Sequence, residues 1–311
     1  MLALTILGNN SALSMHNRHQ TAQILTTSDQ LFLIDCGEST QIQMQRYQIR
    51  KSKINHIFIS HLHGDHYFGL PGLLNSYGLT NRKEALHLYA PPQLMDLIEL
   101  ILKLSDSTLG YELVFHPLTT AEIVLELPGI TVSCFPVSHR IPCWGFLFKE
   151  KIKPRKINME MVNFYHINKN LMPEMKSGKD VLNEFGELIS NEKITSEGAS
   201  PCSYAYCADT LYDESIIPFI KEADLVYHET TYLDGEREKA FQRFHSTGIQ
   251  AATIAMKANA RRLLIGHFSS KYENLELFEV EAKSIFKNAS VSVEGTTYLI
   301  NPSVKQYSTA Q

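Results

Sequence analysis

His61-Leu62-His63-Gly64-Asp65-His66 concentrates four metal-ligand side chains, and it directly follows an apolar run, Ile57-Phe58-Ile59-Ser60, that is typical of a buried strand. The first two histidines are two residues apart, so at the period of a strand their side chains point the same way and can hold one ion. The aspartate and the third histidine follow in a Gly-containing turn, where the chain can bend back to present two more ligands.

Imidazole and carboxylate ligands together suit zinc or a similar divalent metal. Four such side chains within six residues exceed the usual share of one ion, so two adjacent ions are plausible. The alternative is a polar, His-rich surface loop without a function, which is less typical of a segment that directly follows a buried strand.

Further ligands are expected at the ends of other strands, where sites on layered sheets gather. Each candidate alone is weak, because a single His or Asp after a strand is more often a turn residue or a cap. Together the candidates supply two imidazoles and one carboxylate that could bridge two cations, leaving each ion open to water. The three candidates are His139, Asp209 and His267.

Length and composition are ordinary for a globular protein of 311 residues, 44% of them hydrophobic. The net charge of −4 argues against a broadly basic surface that would coat nucleic acid, but it leaves room for a local basic patch. The sequence contains no run of eighteen apolar residues and no signal-peptide pattern at its start, so we expect no membrane span and a cytoplasmic location. Five cysteines without a CxxC pair predict reduced, buried thiols with no catalytic or metal role.

Short apolar runs alternate with helical patterns, which favours an α/β or layered α+β architecture. We expect one domain over residues 1–311, with a polar excursion at about 150–200. The expected strands are 2–7, 21–26, 31–35, 56–60, 130–137, 203–208, 225–228 and 263–267, and the expected helices are 69–77, 91–104, 246–258 and 273–286.

With these motifs in place, the sequence resembles the ribonuclease Z family of the metallo-β-lactamase superfamily. The segment 61–66 matches the HxHxDH signature of that fold, and further segments resemble the remaining family motifs in the right order along nearly the whole chain. These segments are 32–41 (with Ser39 where Gly is usual), 137–145, 207–210, 266–272, His228-Glu229-Thr230 and His245-Ser246-Thr247.

The resemblance implies an αββα four-layer sandwich and a homodimer in which the excursion of one subunit clamps tRNA for its partner. It implies two Zn²⁺ per subunit, with Mn²⁺ or another divalent ion as alternatives. One ion would be held by His61, His63 and His139, the second by Asp65, His66 and His267, with Asp209 between them.

The implied reaction removes 3′ trailers from precursor tRNA by attack of a metal-bound hydroxide, leaving a 3′-hydroxyl on the tRNA and a 5′-phosphate on the trailer. Asp65 would orient or deprotonate the water, and His245 would be the acid, with Glu229 fixing its tautomer. Without the resemblance, His245 is more simply a residue near a helix N-terminus and Glu229 a surface acid. Asp35 is expected to bond the metal loop rather than the metal, although a turn residue before Gly37 is nearly as good an interpretation.

Substrate binding by a mildly acidic chain needs concentrated cations, and residues 149–156 contain five basic residues in eight. Within this stretch Lys153, Arg155 and Lys156 resemble the family's PxKxRN-type loop, with Ile157 in place of Arg; a solvated charged face is the alternative. The Gly-Pro-rich signature of the family's arm is missing from the excursion.

Two other functions stay open: a dinuclear zinc phosphodiesterase or sulfatase of the same fold that acts on small molecules, and an RNA-binding relative without activity. The intact ligand set disfavours the second.

Overall fold

A computed structural model describes residues 2–198 and 200–301, and the backbone of 308–309. Its strands in chain order are β1 (Leu2–Gly8), β2 (Asn10–Ser11), β3 (Ala22–Thr26), β4 (Leu31–Cys36), β5 (Ile54–Phe58), β6 (Leu86–Ala90), β7 (Leu113–Pro117), β8 (Glu122–Glu126), β9 (Ile130–Pro136), β10 (Trp144–Glu150), β11 (Lys156–Ile157), β12 (Val181–Leu182), β13 (Leu188–Ile189), β14 (Thr195–Ser196), β15 (Ser203–Cys207), β16 (Leu225–Glu229), β17 (Leu263–Gly266), β18 (Phe268–Ser269), β19 (Ala289–Val291), β20 (Thr296–Ile300) and β21 (Ser308–Thr309).

The α-helices are α1 (Thr40–Arg46), α2 (Gly64–Tyr67), α3 (Leu70–Leu79), α4 (Gln93–Leu104), α5 (Met159–Phe164), α6 (Met172–Lys176), α7 (Asn191–Ile194), α8 (Ile217–Ile220), α9 (Arg237–Arg243), α10 (Gly248–Lys257) and α11 (Glu276–Ile285). Short 3-10 turns cover Lys51–Lys53, Lys169–Leu171, Glu214–Ile216 and Asp234–Glu236. None of the helices in the described part of the chain has the length and apolar character needed to cross a bilayer.

Two large sheets form the main compact unit, which comprises the described residues within 1–126, 132–148 and 202–311. Among the described residues the first sheet has the order β21-β20-β1-β3-β4-β5-β6-β7, and the second β19-β17-β16-β15-β10-β9-β8. Strands β4 to β7 run parallel, as do β15, β16, β17 and β19. Because parallel strands end at the same edge of a sheet, the loops that follow them are brought together.

Aromatic side chains fill the space between the two sheets. Phe32 of the first sheet lies 5.6 Å from Phe148 of the second, and Phe58 lies 5.3 Å from Phe146, measured between ring centroids. All four rings are fully buried, and burial of each contributes about 1.5–3 kcal/mol of stability.

Helices cover the outer faces of both sheets, which gives four layers. Helices α10 and α11 pack on the second sheet through β16, β17 and β19. On the outer face of the first sheet, Ile24, Leu33, Ile57 and Leu88 share one apolar cluster with Met44, Leu73 and Leu94 from α1, α3 and α4. This architecture confirms the predicted αββα class.

Residues 127–131 and 149–201 form a second compact unit with an apolar cluster of its own. Its short elements include the pairs β11–β14 and β12–β13 and the helix α5, whose first turn is capped by the side chain of Asn158. The buried members of the cluster are Val162, Ile167, Met175, Val181, Ile189 and Ile194. These apolar residues are scattered singly through a polar sequence, so no periodic apolar run predicts the cluster.

Each predicted strand and helix of the main unit is present, with ends shifted by up to three residues. Thr247 caps α10 through a reciprocal pair of bonds with Gln250, close to the predicted start of that helix. The five cysteines are free and buried, as expected. The elements of the main unit that were not predicted include strands β6, β7, β8, β10, β19 and β20 and helices α1, α8 and α9, because their short mixed runs lack a clear period.

Candidate active site

Loops at the carboxyl ends of the central strands bring the predicted ligands to one edge of the sandwich. His61 and His63 follow β5 in an extended segment, and Asp65 and His66 lie in α2, where the sequence predicts only a turn. His139 follows β9, Asp209 follows β15, and His267 follows β17. The seven therefore come from four segments that follow strands of both sheets and meet at one edge of the sandwich, although they span more than two hundred residues of sequence.

The first group of ligand atoms belongs to His61, His63, His139 and Asp209, which lie within 4.8 Å of one another. His63 Nδ1 is 3.0 Å from His61 Nε2 and 3.1 Å from His139 Nε2. Asp209 Oδ2 completes the group at 3.5 Å from His61 Nε2 and 3.9 Å from His139 Nε2.

The second group comprises Asp65, His66 and His267. His267 Nε2 is 3.2 Å from His66 Nε2 and 3.3 Å from Asp65 Oδ2. The other carboxylate oxygen of Asp209, Oδ1, is 3.4 Å from His66 Nε2 and 3.2 Å from His267 Nε2. The two oxygens of Asp209 thus face different groups.

Both groups fit divalent metal ions. Ligand atoms about 2.1 Å from one tetrahedral zinc ion lie about 3.4 Å apart, which is close to the separations found here. His63 Nδ1 faces two ring nitrogens at once, and a single proton could serve only one of those contacts. Asp209 Oδ1 is buried without a hydrogen bond, an unfavourable state for a carboxylate that a bound cation relieves.

Asp35 supports the metal loop from behind. This fully buried residue has a φ of 55°, and its carboxylate accepts hydrogen bonds from the backbone N–H and the hydroxyl of Ser60 at 2.7 and 2.8 Å. His66 Nδ1 lies 2.7 Å from Asp35 Oδ2, and the hydroxyl of Tyr206 donates to the same oxygen at 2.6 Å. Asp35 therefore fixes the ring of His66, a predicted ligand, in agreement with the interpretation from the sequence.

Glu229 connects the predicted acid to the second metal group. Its Oε1 is 3.0 Å from His245 Nδ1, and its Oε2 accepts the hydroxyl of Thr231 at 2.9 Å. The same hydroxyl oxygen lies 2.9 Å from His267 Nδ1. Glu229 is fully buried and also accepts the backbone N–H groups of Thr231 and Ser246. It is therefore no surface acid.

The histidines of the first group are neutral near pH 7. Burial lowers the pKa of His61 well below its ordinary value, and His66 lowers it further. Burial followed by the charge of His139 lowers the pKa of His63 to about 4, and burial lowers the pKa of His139. A neutral imidazole is the form that ligates a metal.

The carboxylates of the site are ionised. Burial opposes their charge, but His267, His66 and His61 hold the pKa of Asp209 well below its ordinary value. His66 and His267 lower the pKa of Asp65 in the same way. Although burial works against it, Asp209 and Asp65 raise the pKa of His66 well above its ordinary value; as a ligand, His66 would release that proton, because the metal and the proton compete for one nitrogen.

His245 is in its acid form at neutral pH. Burial disfavours the charged ring, but the carboxylate of Glu229 outweighs burial and raises the pKa of His245 to about 9. Against the effect of its own burial, Glu229 has a lowered pKa because it faces His245. The pair is an imidazolium held by a carboxylate, so at neutral pH His245 carries the proton that a general acid transfers.

A cleft of about 480 Å³ opens over these groups. Its walls include His63, Asp65, Asp209 and His245 together with Ser11, Ala12, Leu13, Gln20, Glu38, Gly64, Phe68 and Arg140. The backbone N–H of Ala12 donates to Asp65 Oδ2 at 2.7 Å, so the loop after β2 fixes one oxygen of that carboxylate.

The structure brings nine of the twelve predicted site residues together, and it places Lys153, Arg155 and Lys156 in the second compact unit. There Lys153 pairs with Glu150 at 3.2 Å, and Arg155 donates through Nε to Thr195 Oγ1 at 2.7 Å. Lys156 is exposed. Their part in substrate binding stays a prediction.

Contributors to the site that were not predicted include Ser60, Thr231 and the carbonyl of Phe244, which lies 2.9 Å from His139 Nδ1. Ser60 directly precedes the first ligand, and Thr231 lies two residues after Glu229, so both are adjacent to recognised motifs. The contact of the Phe244 carbonyl has no signal in the sequence, because every residue has a backbone carbonyl.

Comparisons with known proteins find relatives over most of the chain. Residues 2–285 match the family described as Anti-Pycsar protein Apyc1. The Ribonuclease Z of Parabacteroides distasonis is 43% identical over 294 residues, which cover 94% of this chain and 97% of that protein. The Ribonuclease Z of Bacteroides thetaiotaomicron is 40% identical over 300 residues, which cover 96% of this chain and 95% of that protein.

Among solved structures, the short form of human tRNase Z superposes with a TM-score of 0.70 at 25% identity, covering 96% of this chain and 99% of that chain. The metallo-β-lactamase fold protein YhfI of Bacillus subtilis gives a TM-score of 0.69 at 17% identity, covering 96% and 98%. The second likeness shows the fold alone.

Proposed function

The chain belongs to the ribonuclease Z family, as well as to the family described as Anti-Pycsar protein Apyc1, and from this premise we propose that it removes the 3′ trailer of precursor tRNA at a centre of two zinc ions. It is a hydrolytic endoribonuclease that uses divalent metal. The observation that supports the two-ion centre best is the placement of Asp209, whose oxygens face separate groups of ligand atoms at 3.2–3.9 Å.

His61, His63 and His139 would hold one ion, Asp65, His66 and His267 the other, and Asp209 both. Two bound zinc ions would supply positive charge for the phosphate oxygens and a water of lowered pKa. The same residues could hold Mn²⁺ or another divalent ion.

Asp65 is the group that we assign to orienting or deprotonating the attacking water. One of its oxygens accepts the N–H of Ala12 and lies 3.3 Å from His267 Nε2, which fixes the carboxylate in place. Asp65 lines the cleft, so its carboxylate borders the space in which a phosphodiester would lie.

His245 is the acid that we assign to the leaving group. Its Nδ1 is directed at Glu229, so the proton of Nε2 is the one available to the cleft. In the proposed reaction the bond between phosphorus and the tRNA 3′-oxygen breaks, and that oxygen takes the proton of His245. The products are a tRNA 3′-hydroxyl and a trailer with a 5′-phosphate.

The test is metal analysis of the purified protein together with a cleavage assay on a precursor tRNA with a 3′ extension. We expect two ions per chain and a cut that leaves a 3′-hydroxyl on the tRNA. Absence of cleavage by the metal-loaded protein would contradict the proposal, and turnover of a small phosphodiester or sulfate ester alone would favour the small-molecule alternative.

A sharper test uses His245→Ala. Because Nδ1 of this side chain is directed at Glu229 and His245 is not among the expected ligands, the variant should keep both metals yet lose about 10²–10⁴-fold of its cleavage rate. The matched control is His116→Gln on β7, outside the cleft, which should cleave normally. Loss of metal from His245→Ala would show that the residue is a ligand.

The homodimer, the cytoplasmic location and tRNA contacts through Lys153, Arg155 and Lys156 complete the proposal. A sedimentation mass of twice the 35.3 kDa of one chain would support the dimer.

A further inference from the structure

Phe68 is an exposed aromatic residue at the mouth of the metal cleft. It follows α2 directly, and 62% of its surface is accessible although it lines the cleft beside His63 and Asp65. Single exposed apolar residues are common on protein surfaces. Phe68 differs from such residues because it lies next to the predicted ligand loop and because its ring is held in place by its neighbours.

The metal loop itself determines where the ring of Phe68 lies. A Cβ on Gly64 would come within 2.2–2.6 Å of three ring carbons, so the ring rests directly on the glycine backbone. The backbone N–H of Phe68 donates to the Gly64 carbonyl at 2.9 Å, and the ring of Tyr67 packs against it at 5.0 Å and 67°. The residue thus presents aromatic surface to solvent from a fixed position.

The neighbours of Phe68 in the cleft have the chemistry that recognises a nucleotide. Arg140 is exposed, and its Nη2 lies 3.4 Å from His63 Nε2, which places a permanent cation near the expected phosphate. Leu13 adds a second apolar surface that is 58% exposed. Glu38, which accepts the buried Gln20 amide at 3.3 Å, is exposed and offers a carboxylate for a base edge.

We propose that Phe68 is a stacking platform for the base of one nucleotide that flanks the scissile phosphodiester. The inference rests on the proposed function, because it names the subsite that single-stranded RNA would occupy at the metal centre. Stacking on an aromatic side chain tolerates any base, which suits a site that must accept varied sequences near a cut.

The experiment compares four proteins, wild type, Phe68→Ala, Phe68→Leu and Phe68→Tyr, on precursor tRNA with an intact base or an abasic site just 5′ or just 3′ of the cut. We expect Ala and Leu to lower kcat/KM about tenfold on the intact precursor, since both lack the aromatic face, and Tyr to stay within about twofold of wild type. On the precursor that is abasic at the stacked nucleotide, wild type should itself lose about tenfold and Phe68→Ala should lose nothing more.

Metal content and sedimentation mass are measured for each variant, because Phe68 is close to ligands and exposed. The matched control is Phe241→Ala, which removes a ring on α9 that is 68% exposed and outside the cleft; it should leave kcat/KM unchanged.

Three results would each contradict the proposed stacking role of Phe68. These are normal activity of Phe68→Leu, equal losses on the intact and abasic precursors, and a variant that loses metal or changes its sedimentation mass. If wild type cuts the precursor but one of these results is found, only this inference fails. If metal-loaded wild type does not cut it, the proposed function fails and the inference with it.

Discussion

At the scale of single residues, the carboxylate of Glu229 serves two histidines with its two oxygens. Oε1 faces His245 directly, and Oε2 reaches His267 through the hydroxyl of Thr231. When His267 binds a cation through Nε2, its Nδ1–H can donate to Thr231, which in turn donates to Glu229. One buried carboxylate thus sets the tautomers of the proposed acid and of a proposed metal ligand together.

Thr231→Val should weaken this connection while the backbone N–H of residue 231 still satisfies Glu229 Oε2. Without the hydroxyl, the ring of His267 loses its hydrogen-bond acceptor. We expect the affinity for the second ion and the cleavage rate each to fall about 10–100-fold. Titration of the apo-protein with Zn²⁺ and steady-state cleavage measure the two effects, and Thr231→Ser should restore most of both.

The control for this variant is Thr230→Val. Thr230 is equally buried, but its hydroxyl donates to the Gly266 carbonyl at 3.1 Å and not to Glu229. An equal loss of metal affinity in Thr230→Val would show that Thr231 acts only through packing.

At the scale of elements, the sequence predicts those strands and helices whose formation is determined by a pattern of neighbouring residues. The strand before His61 and the start of α10 are each encoded in adjacent residues, so both are found in the structure near their expected places. The strand ends at Phe58, so His61 and His63 converge from an extended loop and not from the strand itself. Convergence depends on the Ser60–Asp35 bonds, which join residues twenty-five apart.

The grouping of ligands could be predicted only through a family resemblance. The order of strands in the second sheet determines which part of the metal loop each of His139, Asp209 and His267 meets. In that sheet β10 lies between β9 and β15, and β16 lies between β15 and β17. The roles of Thr231 and Phe68 could not be predicted from the sequence either. Their roles depend on which atoms lie 3 Å away, and residue type alone carries no such information.

A set of stacked rings on the neighbouring strands β5, β6 and β7 leads to a prediction about how stability depends on pH. The rings belong to His56, His87, Tyr89 and His116. His56 and His87 stack at 4.9 Å, and Tyr89 and His116 at 4.3 Å. Burial, followed by His87 and His116 and then Arg82, lowers the pKa of His56 to about 4.

The unfolded chain, with a histidine pKa of about 6.5, therefore binds a proton between pH 6.5 and 4 that folded His56 does not bind. The free energy of unfolding should fall as pH falls through this window, with His56 contributing at most about 1.4 kcal/mol per pH unit. Urea unfolding of wild type and of His56→Gln at pH 7.5, 6 and 5 measures the difference. The stability of wild type relative to the variant should decrease towards pH 5; a constant difference would show that His56 does not contribute.

At the scale of the whole molecule, a net charge of −4 must be reconciled with an RNA substrate. The segment 149–156 concentrates cations in the second compact unit, where Arg155 is fixed by Thr195 and by a backbone bond to Lys176. Lys156 is exposed, so removing it should cost little stability. This makes Lys156 the cleanest probe of binding by the segment.

Lys156→Ala should weaken binding of precursor tRNA and reduce the slope of log Kd against log salt by about one. Binding titrations at several salt concentrations measure both. Lys83→Ala, an exposed lysine of the main unit, is the control and should keep the slope of wild type. An unchanged slope in Lys156→Ala would remove this residue from the RNA contact.

The proposed exchange of binding segments between subunits is testable with mixed dimers. One chain would carry His245→Ala, and the other Lys153→Ala, Arg155→Ala and Lys156→Ala, each with a different affinity tag so that the mixed dimer can be isolated. If the segment of one subunit serves the site of its partner, the mixed dimer joins an intact segment to an intact site and should show about half of wild-type activity. If each segment serves its own subunit, both sites of the mixed dimer are deficient, and its activity should stay as low as that of the two parent variants.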